Sequence, residues 1–193
     1  MKKPPEPKSI LYVLIPVMAV MLVGCGTTSK LKTPERNSLQ NIQKYREVSV
    51  LAFADKTNGK ESGEKMREQG EHFADLIAVE LGKTKAFDKV NRVEAAQPGS
   101  LVISGDITRC VGGSSSLRFW VGMGAGSSYF DAILRCSDAD SGQQIGEIVV
   151  DKNSWPLGGG LASGQTVQSF MEGAAKKTAA QLSQAKNGAA AGK

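Results

Sequence analysis

The chain reads as one α+β domain, a mostly antiparallel sheet of about four to five strands with two helices packed on one face. Three observations carry that expectation. An early run from Val48 to Ala54 is apolar apart from Ser49, two later stretches place apolar residues at helical spacing, and the segments between them alternate with a period of two. The order is strand, helix, mainly strands, helix.

Val48–Ala54 is bounded by the turn residues Asp55-Lys56-Thr57-Asn58-Gly59, as expected of a buried central strand. Between Ser62 and Lys83, Met66, Phe73, Ala74, Ile77, Ala78 and Leu81 recur three and four residues apart and build one stripe, which Gly82 closes. Phe87 to Val93 is a shorter strand at an edge. Leu101, Ile103 and Ile107 alternate with Val102, Ser104, Asp106 and Thr108, so one face of that strand lies in the core. Phe130, Ala132, Leu134 and Cys136 repeat the pattern, Asp140-Ser141-Gly142 turns the chain, and Ile145 to Val150 returns as a hairpin. After a glycine-rich stretch from Pro156 to Gly164, Val167, Phe170, Met171, Ala174, Ala175, Thr178 and Leu182 form the second helical stripe.

The N-terminus precedes this domain with a different signal. Lys2, Lys3 and Lys8 are followed by an apolar run from Ile10 to Val23, then Gly24 and Cys25. That order is a secretory signal peptide. The run is too short to span a bilayer as a helix and carries Pro16 in its middle. Leu22-Val23-Gly24-Cys25 resembles the lipobox of bacterial lipoproteins, which implies cleavage before Cys25, acylation of its thiol and amine, and a membrane anchor of more than one chain. By the sorting rule that this resemblance implies, Gly26 in the next position, in place of Asp, points to the outer membrane of a Gram-negative cell, with the domain expected to face the periplasm.

Residues 1–24 hold three lysines and Glu6, so their removal lowers the formal net charge from +5 to +3. Charges of both signs are interspersed, leaving no basic stripe to hold phosphate backbones, and nucleic acid is excluded as a partner. Residues 25–46 are mostly Thr, Ser, Lys, Asn and Gln and read as a lipidated start followed by a flexible tether. Residues 47–186 suffice for one core, and 187–193 read as a disordered tail.

The segment Leu117-Arg118-Phe119-Trp120-Val121-Gly122-Met123-Gly124-Ala125-Gly126, followed by an alternating strand and Asp138-Ala139-Asp140-Ser141-Gly142, resembles the bacterial lipoprotein family named domain of unknown function 4410. In that family a Leu-Arg…Val-Gly-x-Gly-Ala-Gly run precedes a strand that ends in an Asp-Ala-x-Ser/Thr-Gly turn. The resemblance spans roughly Val48 to Leu182 and implies a lipid-anchored envelope protein without an assigned activity.

Few residues offer chemistry. Gly122, Gly124 and Gly126 precede a strand pattern rather than a helix and lack a lysine, so they suit a bulge or close backbone packing better than a phosphate loop. Gly158 to Gly160 and Gly164 precede a helix and are the better anion candidate, though no base stands beside them. His72, the only histidine, lies off the apolar stripe of its helix, so no catalytic triad or metal cluster is expected. Asp138 and Asp140 fall in a turn where Asp is locally useful. No cofactor and no enzyme activity are expected.

Cys110 and Cys136 lie in a domain expected in an oxidising compartment, which favours a disulfide. Their parity opposes it: Cys136 shares a face with Phe130 and Leu134, whereas Cys110 shares one with Ser104 and Asp106, so they meet only through a bulge or twist. Both states, a bridge and two buried thiols, stay open. The resulting expectation is a non-enzymatic outer-membrane lipoprotein whose domain binds another envelope component. Leu117 to Tyr129, with Arg118, Phe119, Trp120 and Met123, is the candidate contact surface, and an internally packed hairpin is its alternative. The rival function is a carrier or sensor that holds a lipid or glycan fragment between sheet and helices.

Overall fold

The structure, a computed structural model, describes residues 26–32, 42–57, 63–113, 127–154 and 165–188. Over these residues the chain forms β1 (Gly26–Thr28), β2 (Glu47–Asp55), α1 (Gly63–Thr84), β3 (Lys89–Arg92), β4 (Leu101–Val111), β5 (Tyr129–Asp138), β6 (Gln144–Asn153) and α2 (Val167–Lys186). The strands lie in the order β1-β6-β5-β4-β2-β3.

The α+β class and both helices match the sequence pattern, while the sheet is larger and more mixed than expected. β2 runs parallel to both neighbours, β3 and β4, and the other pairs are antiparallel. A parallel pair needs a long crossover, and α1 supplies it between β2 and β3. Lying between two parallel neighbours explains the nearly continuous apolar run of β2.

The sixth strand comes from the stretch expected to be a tether. Gly26, Thr27 and Thr28 pair with Lys152, Asp151 and Val150 of β6. Ser29 N–H then donates to Val149 O at 2.7 Å, and Lys32 exchanges backbone hydrogen bonds with Glu147 at 2.8 Å each way. Gln181 of α2 accepts from Leu31 N–H and donates to Ser29 O. Leu31 fills the space that Gly146 leaves by having no side chain, and Ile42 and Tyr45 are buried. The described parts of residues 25–46 are therefore docked. A polar strand can add to a sheet edge because the backbone supplies the bonds, and composition is silent about that. At the other end, Asn187 caps α2 and Gly188 adopts a positive φ, so the described part of the expected tail closes the helix.

Both helices cover the sheet face that carries Val48, Val50, Phe53, Leu101, Ile103, Ile107, Phe130, Ala132, Leu134, Cys136, Ile148 and Val150, all within one core with Phe73, Ile77, Leu81, Phe170, Met171 and Leu182. Its centre is a row of rings. Phe53 and Phe73 lie 4.8 Å apart at 60°, and Phe73 meets Phe130 edge-on at 4.9 Å and 76°. Two glycines make room for that row. A Cβ on Gly70 would drive into the carbonyl oxygen of Phe53, and one on Gly105 would collide with the Phe53 ring.

The register also settles the cysteines. Thr108 is an extra residue between the pairs Ile107–Ala132 and Arg109–Asp131, and this bulge moves Cys110 to the helix side, opposite Phe130. Cys136 lies opposite Ile103, seven residues further along β4. At about 3.3 Å per residue the two are roughly 23 Å apart, far beyond the span of a disulfide, and no bridge forms. Burial pushes the Cys136 thiol up to about 12, so it behaves as a core side chain.

Two substitutions test the packing by urea denaturation. Phe73→Ala removes the middle ring and is expected to cost about 3–5 kcal/mol. Gly70→Ala is expected to destabilise, because overpacking costs about 1–3 kcal/mol and exceeds the helix propensity that alanine gains, about 1 kcal/mol. Gly173→Ala on α2 meets nothing within 4 Å and is the control, neutral or stabilising. A neutral Gly70→Ala would contradict the close approach.

Candidate partner surface

The second face of the sheet carries a different set of side chains. Val102, Ser104 and Asp106 of β4, Asp131, Ile133, Arg135 and Ser137 of β5, and Glu147, Val149 and Asp151 of β6 alternate with the core residues and point away from both helices. Among the described residues no helix and no second sheet packs on it. Val102 is buried there, Ile133 and Val149 are half-buried cross-strand neighbours, and the rows on either side are charged.

The charges are organised by the strand register. Arg135 donates to Asp106 at 2.7 Å and stands opposite Glu147. Asp131 stands opposite Asp151, and burial followed by that like charge pushes its carboxyl above the usual range. The guanidinium of Arg109, exposed by the bulge at Thr108, lies 3.5 Å from the ring centroid of Tyr129. The face is thus a mixed one, a short apolar strip with the Arg135–Asp106 ion pair on one side and the Asp131–Asp151 carboxylates on the other, as in interfaces that form and separate.

Of the sequence candidates, Cys25, Arg118, Phe119, Trp120 and Met123 lie outside the described residues, as do Gly122, Gly124, Gly126, Gly158 to Gly160 and Gly164. Tyr129, the last residue of the candidate contact segment, begins β5 on the open face. His72 Nε2 is 2.7 Å from Gln168 Oε1, an exposed link between the helices. A cleft of about 110 Å³ at the N-terminal ends of the helices is lined by Lys65, Met66, Gln69, Cys110, Gly112 and Val167. It is smaller than the few hundred Å³ of ordinary ligand sites, and the phenylalanine row fills the space between sheet and helices. Neither observation favours the carrier.

Asp138 and Asp140 do structural work at the far end of the sheet. The Asp138 carboxylate accepts from Tyr45 Oη, from Lys44 Nζ at 3.2 Å, from Ser141 N–H at 2.9 Å and from Asp140 N–H at 3.1 Å. These donors, the tyrosine first, hold it well below the usual carboxylate range. Burial, then the bond to Asp138, raises the Tyr45 phenol to about 12. Asp140 accepts from Gly99 N–H, and Gly142 supplies the positive φ that the turn requires. Tyr45 was the missed member of this cluster; an aromatic residue inside a polar stretch was its signal.

With the geometry in place, comparison with known proteins gives a family. The model of a family described as Domain of unknown function (DUF4410) matches residues 32–158. The chain belongs to the DUF4410 family. The match takes in β2 to β6 and α1 and ends before α2. No curated protein sequence matches the chain. Among solved structures, the PelC dodecamer from Paraburkholderia phytofirmans is similar over 82% of this chain and 97% of that one, at 15% identity and a TM-score of 0.54. A variant of it in another crystal form gives the same coverage and identity with a TM-score of 0.52. A candidate lipoprotein from Caulobacter crescentus is similar over 79% of this DUF4410 chain and 96% of its own, at 13% identity and a TM-score of 0.36. The PelC likeness shows a shared fold.

The Asp138–Tyr45 pair predicts a two-sided pH dependence of stability. A carboxyl whose folded value is lowered stabilises fully above its unfolded value, about 4, and loses that contribution as pH falls towards the folded value. A phenol whose folded value is raised stabilises fully below about pH 10 and loses its contribution as pH rises towards about 12. Urea titrations across pH are expected to show Asp138→Asn flattening the acid limb and Tyr45→Phe the alkaline limb.

Proposed function

We propose that this DUF4410 protein is a non-enzymatic lipoprotein, held by acyl chains on Cys25 at the periplasmic side of a Gram-negative outer membrane, whose domain binds another envelope component through the open sheet face. The observation that carries the reading is that face itself: a half-buried Ile133–Val149 strip beside the Arg135–Asp106 ion pair, on which no helix and no second sheet packs among the described residues. The titratable groups with shifted values support a structural role for the chemistry present. Asp138 and Tyr45 bind a turn to the N-terminal segment, and Cys136 sits in the core. Among the described residues no helix is long and apolar enough to cross a membrane. The fold shared with a protein described as a dodecamer supports copies of this same chain as the first partner to seek.

Two measurements test the proposal. Intact mass of the membrane-extracted protein is expected to show acyl chains on a chain that begins at Cys25, and Cys25→Ala is expected to abolish them and leave an unprocessed precursor. An unmodified membrane-bound chain that retains residues 1–24 would overturn the lipoprotein reading. In cells, a photo-crosslinking amino acid at Ile133 is expected to give a discrete product with a second copy or another envelope protein, while the same probe at Val79, exposed on α1, gives none. Equal yields from both sites would remove the open face as the contact surface.

A further inference from the structure

We infer that the pole of the domain that carries Gly26, Val111, Tyr129 and Asn153 is the one turned toward the lipid headgroups, with the anchor one residue from the fold. The inference rests on the proposed acylation of Cys25 and adds what the structure says about the residue after it. Gly26 is already a member of β1, paired with Lys152. From there to Lys32 the segment is held along β6 by the backbone bonds to Val149 and Glu147, by the Ser29 hydroxyl accepting from Val149 N–H at 2.8 Å, by Gln181 and by buried Leu31. Neighbouring Cα atoms are about 3.8 Å apart, so an acylated Cys25 lies within one residue of the sheet edge rather than at the far end of a long tether.

The register identifies what shares that pole. Gly26 is level with Lys152, Lys152 with Phe130, and Phe130 with Cys110; one residue further out, Asn153, Tyr129 and Val111 form the rim. The rim has the chemistry of a headgroup contact. Val111 is 44% exposed, one of two large hydrophobic side chains so exposed among the described residues, and Tyr129 lies beside it under the Arg109 guanidinium. An exposed aliphatic group and an amphipathic ring suit the boundary between acyl chains and headgroups, and the charged row of Arg109, Asp131 and Asp151 lies behind them. The opposite pole carries the Asp140-Ser141-Gly142 turn, nine residues away along β5 and about 30 Å distant at about 3.3 Å per residue.

The test uses the full-length protein processed in cells, purified in detergent and returned to vesicles of phosphatidylethanolamine and phosphatidylglycerol. In a Cys110→Ser background, a fluorophore is attached at Val111→Cys or at Ser141→Cys, and quenching by nitroxide-headgroup lipid is measured. The label at position 111 is expected to be quenched about fivefold more than that at 141, because about 30 Å separates them. Inserting a ten-residue Gly-Ser linker between Gly26 and Thr27 in register-free form is expected to retain flotation with the vesicles and remove most of that difference. Equal quenching at the two sites in protein that floats and carries acyl mass would overturn the inference and leave the lipoprotein reading intact. Protein that neither floats nor carries acyl mass would overturn both.

Discussion

The approach of α1 to β2 at Gly70 is the contact on which the rest of the fold depends. With no side chain at Gly70, the helix backbone lies against the Phe53 carbonyl, and with none at Gly105, the Phe53 ring comes close to the backbone of β4. Phe73 then reaches between Phe53 and Phe130 and ties β2, across β4, to β5. Seating α1 over β2 also sets the parallel path of β3, which Arg92 secures by donating to Val50 O and pairing with Glu71 and Asp75. The second helix packs beside the first, and its stripe has one position available to it.

Both ends of the described chain are fastened to this frame by polar contacts as well as by buried Leu31, Ile42 and Tyr45. β1 covers part of the β6 edge, which would otherwise present unpaired backbone groups for association. Lys186 Nζ donates to the carbonyls of Gln43 and Tyr45 at 2.6 Å, so the end of α2 holds the same segment that Asp138 holds from the hairpin turn. Each bond is individually small, yet all of them restrict one stretch of chain, and losing any one lengthens the segment that is free to fray.

The sequence shows most clearly what is periodic. The stripes of α1 and α2 and the alternation of β4, β5 and β6 are legible because each buries one face of a regular element. Three features escape because their causes are not periodic. β1 is polar, and its stability lies in backbone bonds and in Leu31, Ile42 and Tyr45, which are too irregularly spaced to form a pattern. The bulge at Thr108 inserts one residue and reverses parity, so the face assigned to Cys110 by alternation is the wrong one. The pairing of β2 depends on a crossover that alternation cannot reveal, although a glycine in the interior of α1 is itself a sign of close packing. For the candidate surface, the alternation that marks the core also marks the open face.

Anchoring and binding become one problem once the geometry of the strands is considered. Gly26 lies at one end of the sheet and the Asp138 turn at the other, so under the proposed anchoring the strands stand along the membrane normal. The open face then points sideways, parallel to the bilayer plane, where neighbouring anchored proteins are found. Copies held at the same pole share height and orientation before they meet, which removes part of the rotational and translational cost of association and raises their effective concentration.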